Sequence, residues 1–392
     1  MQETFLAPKG FSFSGVTAGM KQSGKKDLGL VYLERPGVMG GVYTKNRYPA
    51  PSITYCRGLT PNALLHAVVV NSGIANAATG EEGAKRNMHF AQEVAQHLGV
   101  PQTSVLANST GVIGHHLPLE KISAAMASLK AGLGKDPMAF AEAIMTTDLK
   151  AKLSQRTVDI GGQKYQVLGI TKGSGMIMPN MATMLGYVFT DAPIPASEIQ
   201  RITKEAADQS FNLISVDSDT STSDSFMVIS SNPGPGIELE KTERAIHEVA
   251  KDLARAIAAD GEGAHHLLEV NVERAVSETM AHSVVKAVLN SPLVKTAIHG
   301  KDPNWGRILA AVGNGLQPFE GTDNLPVTIK LQGVPVFEGA RPLEFDAKAL
   351  SGKMAEFKVV IEIDLKSGQV GLTGWGCDLS REYIQINADY RT

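Results

Sequence analysis

Short apolar runs alternate with longer amphipathic stretches along the first half of the chain. "HAVVVNSG" (66–73) predicts a buried strand ending in a turn, and "TSVLANSTGVIG" (103–114) predicts another. Between them, "EEGAKRNMHFAQEVAQHLG" places Ala84, Met88, Ala91, Val94, Ala95 and Leu98 at helical spacing, giving one apolar stripe. "AAMASLKAGL" and "DPMAFAEAIMTT" predict further helices, the second with Asp136 as N-cap and Pro137 at the first helical position. The second half repeats the mixture. A Ser-capped helix is expected over 196–213, and a helix in "EKTERAIHEVAKDLARAIAADGEGAHH" carries Ile246, Val249, Leu253 and Ile257 on one face. "SETMAHSVVKAVLNSPLVKTAI" predicts one more capped helix, and the tail from Leu325 to Thr392 alternates at period two like strands. Helices and strands interleave throughout, so the expected fold class is a layered α/β sandwich with extensive β structure.

At 392 residues the chain is long for one core, and two large units are expected. A formal charge of −3 gives no electrostatic reason to expect nucleic acid or an anionic membrane surface. The 39 glycines sit mostly in short apolar segments such as "GITKGSG" and "GLTGWG", where they predict turns and close backbone approaches. Two cysteines, Cys56 and Cys377, show no spacing pattern and argue against a disulfide framework or a Cys-based zinc site. "MQETFLAPKGF" lacks the basic start and apolar run of a signal peptide, and no apolar run approaches the ~20 residues that span a bilayer. A cytoplasmic location is expected.

Several motifs come close and fail. "GMKQSGKK" (19–26) has part of a phosphate loop, but Lys26 stands where a Mg²⁺-binding Ser or Thr is required, so a solvated basic loop is expected. The pairs His115-His116 and His265-His266 are adjacent and diverge, unlike an i, i+4 metal pair. "SVDSDTSTSDS" resembles a calcium loop from Asp217, yet counting from that residue the sixth position is Thr222 and the twelfth is Val228. No metal site and no cofactor are expected.

"ITKGSGMIMPNMATMLGYVFT" (170–190) is harder to account for as a plain core segment. A threonine hydroxyl is a weak nucleophile unless a base removes its proton. If Thr is the first residue of a chain, its own α-amino group can serve as that base. An α-amino pKa of about 7.7–8.0 leaves a useful neutral fraction near neutrality. An internal Thr reaches that state only when the peptide bond before it breaks. Ala182 is small, so the Thr183 hydroxyl can approach the carbonyl just upstream. Attack there gives an ester that water resolves, while Gly173, Gly175 and Pro179 hold an irregular path and Met184 to Phe189 continue as a core strand.

"TKGSGMIMPNMATML" resembles the signature of the ornithine acetyltransferase family, the glutamate N-acetyltransferases of arginine biosynthesis. The resemblance extends in order through "VVVNSGIANAATG", "STGVIG", "MTTD", "VDSDTSTSD", "GEGAHH", "KTAIHGKDPNWGRILAAVG" and "NADYRT", nearly the full chain. It implies the self-processing, N-terminal-nucleophile-like version of the α/β sandwich. Cleavage between Ala182 and Thr183 is then expected to yield an N-terminal chain of residues 1–182 and a C-terminal chain of residues 183–392, assembling as a heterotetramer of two copies of each. It also implies a ping-pong transfer in which N-acetylornithine donates its acetyl group to Thr183 and glutamate collects it, with acetyl-CoA as a further donor in some members.

The resemblance places the oxyanion hole on Thr110 and Gly111. It assigns substrate contacts to Lys172, to the pair Thr146-Thr147, to Glu262, and to Asn387 and Thr392 of the tail. Ser218, Ser223 and Leu149 depart from the residues common in the family. Two other readings compete: an N-terminal-nucleophile amidase or aminopeptidase of similar fold, with water as acyl acceptor, and a non-catalytic binding protein with a structural Thr183.

Overall fold

The computed structural model describes residues 4–61, 64–178 and 184–389. They divide into two units, one from the chain up to Asn212 together with Asp219–Leu253, the other from Leu213–Ser218 and the chain from Ala254 onward. In order, the chain forms β1 (Phe11–Val16), β2 (Leu28–Tyr43), α1 (Pro51–Leu59), β3 (Leu65–Ile74), α2 (Gly80–Leu98) and β4 (Val105–Val112). It continues with α3 (Leu119–Ala131), α4 (Met138–Ile144), β5 (Lys152–Ile160), β6 (Gln163–Lys172), β7 (Leu185–Thr190), α5 (Ile199–Asp208), β8 (Ile214–Ser215), β9 (Ser225–Ser230) and α6 (Leu239–Ala259).

Strand β2 organises the first unit. Its first part pairs with β1 and β3, its last part with β9, and the register shifts between Tyr32 and Gly37. The strand therefore passes from one sheet half, β4-β3-β2, into the other, β2-β9-β7-β6-β5. Phe11, Phe13, Val68, Val70 and Leu106 of the first half share a core with Leu168, Ile170, Tyr187 and Phe189 of the second. Phe189 meets Phe11 and Phe13 edge-on, each at 5.4 Å between ring centres. On the outer face of the first half, Leu30, Val69 and Ala107 pack with Phe90, Val94, Ile122 and Met126 of α2 and α3. Glycines let helices lie flat on the second half: a Cβ on Gly40 would meet Thr203 of α5 at 2.2 Å, and one on Gly169 would meet Val249 of α6 at 2.3 Å. Two sheet halves face each other between helical layers, as the interleaved pattern predicts.

The second unit holds β10 (Leu267–Ala275), α7 (Glu278–Asn290), α8 (Pro292–His299), α9 (Trp305–Leu316), β11 (Thr328–Leu331), β12 (Val334–Glu338) and β13 (Arg341–Pro342). After these come α10 (Ala347–Lys353), β14 (Lys358–Asp364), β15 (Val370–Cys377) and α11 (Arg381–Asp389). Its strands run β13-β12-β11-β14-β10-β15-β8. Val284, Val285, Val288, Ile308 and Val312 of α7 and α9 cover Val270, Val272, Ile329, Ile361 and Ile363. No helix among the described residues is long and apolar enough to cross a membrane.

Four local expectations need correction. The buried face of α2 is Gly83, Asn87, Phe90, Ala91, Val94 and Ala95, whereas Ala84 and Met88 are exposed. A polar Asn and a Gly on the inner face hid the true stripe. Ser197 does not cap α5, which starts after Glu198 without a side-chain cap. The segment 277–298 is two helices, because Ser291 caps a second helix that begins at Pro292, where the missing N–H ends α7. The tail is not strand-like to its end: α10 and α11 interrupt and close it. Ile246, Val249, Leu253 and Ile257 do form the buried face of α6.

Candidate active site

In the first unit, the ends of β3, β4 and β6 bring several of the expected residues together. Strand β4 carries Ser109, Thr110 and Gly111 near its end, and its parallel neighbour β3 places Gly73 opposite Gly111. Gly111 has φ +127° and Gly73 φ +100°, both in the region that favours glycine. Space excludes a side chain at Gly111 as well, since a Cβ would stand 2.3 Å from the Gly73 carbonyl carbon.

Strand β6 ends at Lys172, which is 5% exposed. The Lys172 ammonium donates to the Thr110 hydroxyl at 3.4 Å, joining the ends of two strands that belong to opposite sheet halves. Gly173 follows with φ +154°, and its N–H donates to Asp148 Oδ1 at 2.7 Å. Asp148 also accepts the Thr146 N–H at 2.9 Å and the Lys152 ammonium at 2.6 Å, and neither side chain of this ion pair is exposed. One carboxylate thus ties the "MTTD" turn to the "TKGSG" turn. Burial alone raises its pKa; the ammonium groups of Lys152 and Lys172 and the hydrogen bonds outweigh that and hold it at about 2.

Two more ionisable groups belong to this centre. Burial lowers the Lys21 pKa to about 8, against the pull of Asp27 and Asp148 and with the help of Lys172. Lys21 was expected in a solvated loop. Its half-buried side chain and its coupling to Asp148 and Lys172 correct that expectation. Asp224, 2% exposed, precedes β9 and follows the acidic loop. Among the described residues, neither of its carboxyl oxygens has a hydrogen-bond partner within normal distance and angle. The neighbouring Thr44 hydroxyl spends its proton on the Ser221 carbonyl at 2.8 Å. Burial accordingly pushes Asp224 well above the usual carboxylate range, only partly opposed by Thr44, Lys172, the Met184 N–H and Ser221.

Beneath the centre, Asn108 of β4 donates to Tyr187 Oη of β7 at 2.8 Å and to Ser225 Oγ of β9 at 3.1 Å, and Cys56 donates to Asn108 Oδ1 at 3.1 Å. This buried network holds β4 against β7 and β9 from below. Ser225 N–H in turn donates to the Met184 carbonyl at 3.0 Å, anchoring the start of β7.

In the second unit, Asn387 of α11 donates to Glu262 Oε2 at 2.9 Å. Gly263 allows this approach: its φ is +66°, and a Cβ there would stand 2.4 Å from the Tyr383 nitrogen. Nearby, Asp378 accepts the N–H groups of His265 and His266, each at 2.8 Å, and pairs with His299 Nδ1 at 2.8 Å. Ser218, where the family commonly has Gly, carries φ +69°, a conformation that Gly adopts more easily.

Of the residues named from sequence, Thr110, Gly111 and Lys172 converge, Asp148 ties the Thr146 backbone to Gly173, and Glu262 meets Asn387. Ala182, Thr183 and Thr392 lie outside the described residues. Lys21, Lys152, Asp224 and Asn108 were not singled out. Asp148 stood within a quoted motif without a role. The four-residue spacing of Asp148 and Lys152 was the available signal, since opposite charges that close along the chain can pair.

A buried ammonium beside a hydroxyl and a glycine turn is suited to holding negative charge. Fold and centre together define an α/β protein whose strand ends gather a buried ammonium, a hydroxyl and a glycine turn. The chain belongs to the ArgJ family, whose model matches residues 12–392. It is 40% identical to the arginine biosynthesis bifunctional protein ArgJ of Thermotoga neapolitana, over 99% of this chain and 100% of that one. The protein of the same name from Deinococcus radiodurans is 42% identical over 98% of this chain and 97% of its own. A crystal structure of the arginine biosynthesis bifunctional protein from Bacillus halodurans is 34% identical, covers 53% of this chain and 100% of that chain, and has a TM-score of 0.49.

Proposed function

We propose that the chain is an acetyltransferase of arginine biosynthesis that moves an acetyl group from N-acetylornithine to glutamate through an acetyl ester on Thr183. The observation that carries this reading is the Lys172–Thr110 contact beside Gly111, an anion-holding centre at the point where the family places its oxyanion hole.

The cycle begins with self-cleavage. The Thr183 hydroxyl adds to the Ala182 carbonyl, the C–N bond breaks, and the nitrogen leaves as the new α-amine. Water then hydrolyses the ester, giving a chain of residues 1–182 and a chain of residues 183–392. β6 and β7 lie on opposite sides of this bond and pair in one sheet, Lys172 opposite Leu185, which supports two fragments that stay together. In catalysis the α-amine takes the Thr183 hydroxyl proton as the oxygen attacks the acetyl carbonyl of N-acetylornithine. Charge on the tetrahedral oxygen is met by the Thr110 hydroxyl and the Gly111 N–H. The C–N bond breaks, the proton passes to the departing amine, and ornithine leaves. The amine of glutamate then attacks the acetyl ester, and N-acetylglutamate departs as Thr183 regains its proton.

Lys172 binds a substrate carboxylate, one of Thr146 and Thr147 adds a hydrogen bond, and Glu262, Asn387 and Thr392 contact the substrate. The name of the relatives, a bifunctional protein, favours acetyl-CoA as a second donor and a transferase over an amidase. We place the enzyme in the cytoplasm as a heterotetramer of two copies of each fragment. Exchange of labelled acetyl from N-acetylornithine to glutamate tests the reading. Release of free acetate without N-acetylglutamate overturns it in favour of a hydrolase.

A further inference from the structure

The loop before β2 is built to present one side chain. Asp27 is fully buried and gathers three backbone N–H groups, from Ala18 at 2.6 Å, Met20 at 2.6 Å and Lys21 at 3.0 Å. Its carbonyl accepts the Ser72 N–H at 2.9 Å, so the loop is fastened to the end of β3. Lys21 then runs across Gly73: its Cγ lies 3.2 Å from where a Gly73 Cβ would be. Gly73 is the register partner of Gly111, so Lys21 passes beside the strand end that carries Thr110 and Gly111. Its ammonium gives one N–H to the Lys26 carbonyl at 2.7 Å, and it interacts with Asp148 and Lys172. An ammonium has three N–H donors. The strand ends therefore carry two cations, Lys21 and Lys172, around a carboxylate that Lys152 neutralises.

A transferase with the substrates above has an asymmetric need for positive charge. Its donor brings one carboxylate and its acceptor, glutamate, brings two. We propose that Lys21 binds the side-chain carboxylate of the acceptor amino acid and so sets the preference for an acidic acceptor. The assignment rests on the transferase reading. Burial lowers the Lys21 pKa to about 8, and a carboxylate bound beside the ammonium favours its charged form again. Half-burial leaves it reachable by a ligand.

The test uses full-length enzyme, Lys21→Met and Lys21→Arg, loaded with acetyl from N-acetylornithine and then given glutamate or its neutral isostere glutamine. Loss of a charge-assisted hydrogen bond predicts that Lys21→Met lowers the glutamate-over-glutamine preference in kcat/KM by about tenfold or more, through KM for glutamate. Ornithine release in the donor half-reaction should change far less, and Lys21→Arg should keep most of the preference. If Lys21→Met fails to fold, Lys21→Gln gives the same ratio. An unchanged ratio in a variant that still exchanges acetyl overturns the assignment alone, as does an equal loss in both half-reactions. Wild-type enzyme that forms no acetyl adduct overturns the transferase reading, and this assignment with it.

Discussion

Gly111 lies so close to Gly73 that a methyl group on it would stand 2.3 Å from the neighbouring carbonyl carbon and 2.6 Å from its oxygen. The contact is backbone to backbone, so no rotamer change relieves it, and φ +127° adds strain for any L side chain. Gly111→Ala is expected to lower acetyl exchange by about 100-fold or more through a displaced oxyanion donor. Destabilisation of about 1–3 kcal/mol should accompany it. Rapid-quench measurement of the acetyl adduct, beside a thermal melt, separates the two effects. A variant that melts lower but exchanges normally contradicts the placement.

Asp148 and Lys152 form a buried ion pair on which the "MTTD" and "TKGSG" turns depend. Breaking it on one side leaves an uncompensated buried charge, a cost of about 3–5 kcal/mol. Asp148→Asn and Lys152→Met should each approach that loss in urea denaturation, and the double variant should lose less than their sum. The pH dependence has a definite sign. Asp148 has a folded pKa of about 2 against an ordinary 3.8, so its contribution is present above pH ~4 and disappears as pH falls toward ~2. Wild type should lose stability across that window more steeply than Asp148→Asn.

Asp224 titrates in the opposite sense. Its carboxyl pKa is raised by burial, so the native state disfavours the ionised form once pH exceeds the ordinary carboxylate value. Asp224→Asn removes that penalty while keeping the shape. Melting temperatures of variant and wild type should therefore diverge in favour of the variant as pH climbs from 4 to 8. A constant difference across that range contradicts the burial account.

Legibility of the molecule in its sequence followed the range of the interactions. The faces of β3, β4 and α6 were readable because an apolar stripe registers at fixed spacing. The α2 stripe was not, because Asn87 and Gly83 occupy inward positions that only the packing reveals. Thr110, Gly111 and Lys172 emerged through motif resemblance, and nothing in their local spacing states that β4 and β6, in different sheet halves, bring the Thr110 hydroxyl and the Lys172 ammonium to 3.4 Å. Lys21 was invisible for a similar reason. A lysine in "GMKQSGKK" has the composition of a solvent-facing loop, and its inward turn is enforced by Asp27, which binds the loop's backbone N–H groups. The "VDSDTSTSD" loop looked merely acidic, yet Asp224 at its end is buried and its pKa is raised by that burial.

The most direct test of the central claim is intact-mass and N-terminal analysis of purified wild type beside Thr183→Ala, with and without N-acetylornithine. Wild type should separate from a 41.6 kDa chain into fragments of about 19 and 22 kDa, the larger starting Thr-Met-Leu-Gly and gaining one acetyl group when the donor is added. Thr183→Ala should stay a single full-length chain with no acetyl gain. A catalytically active wild type that retains the Ala182–Thr183 bond, or carries no acetyl on Thr183, would contradict the account.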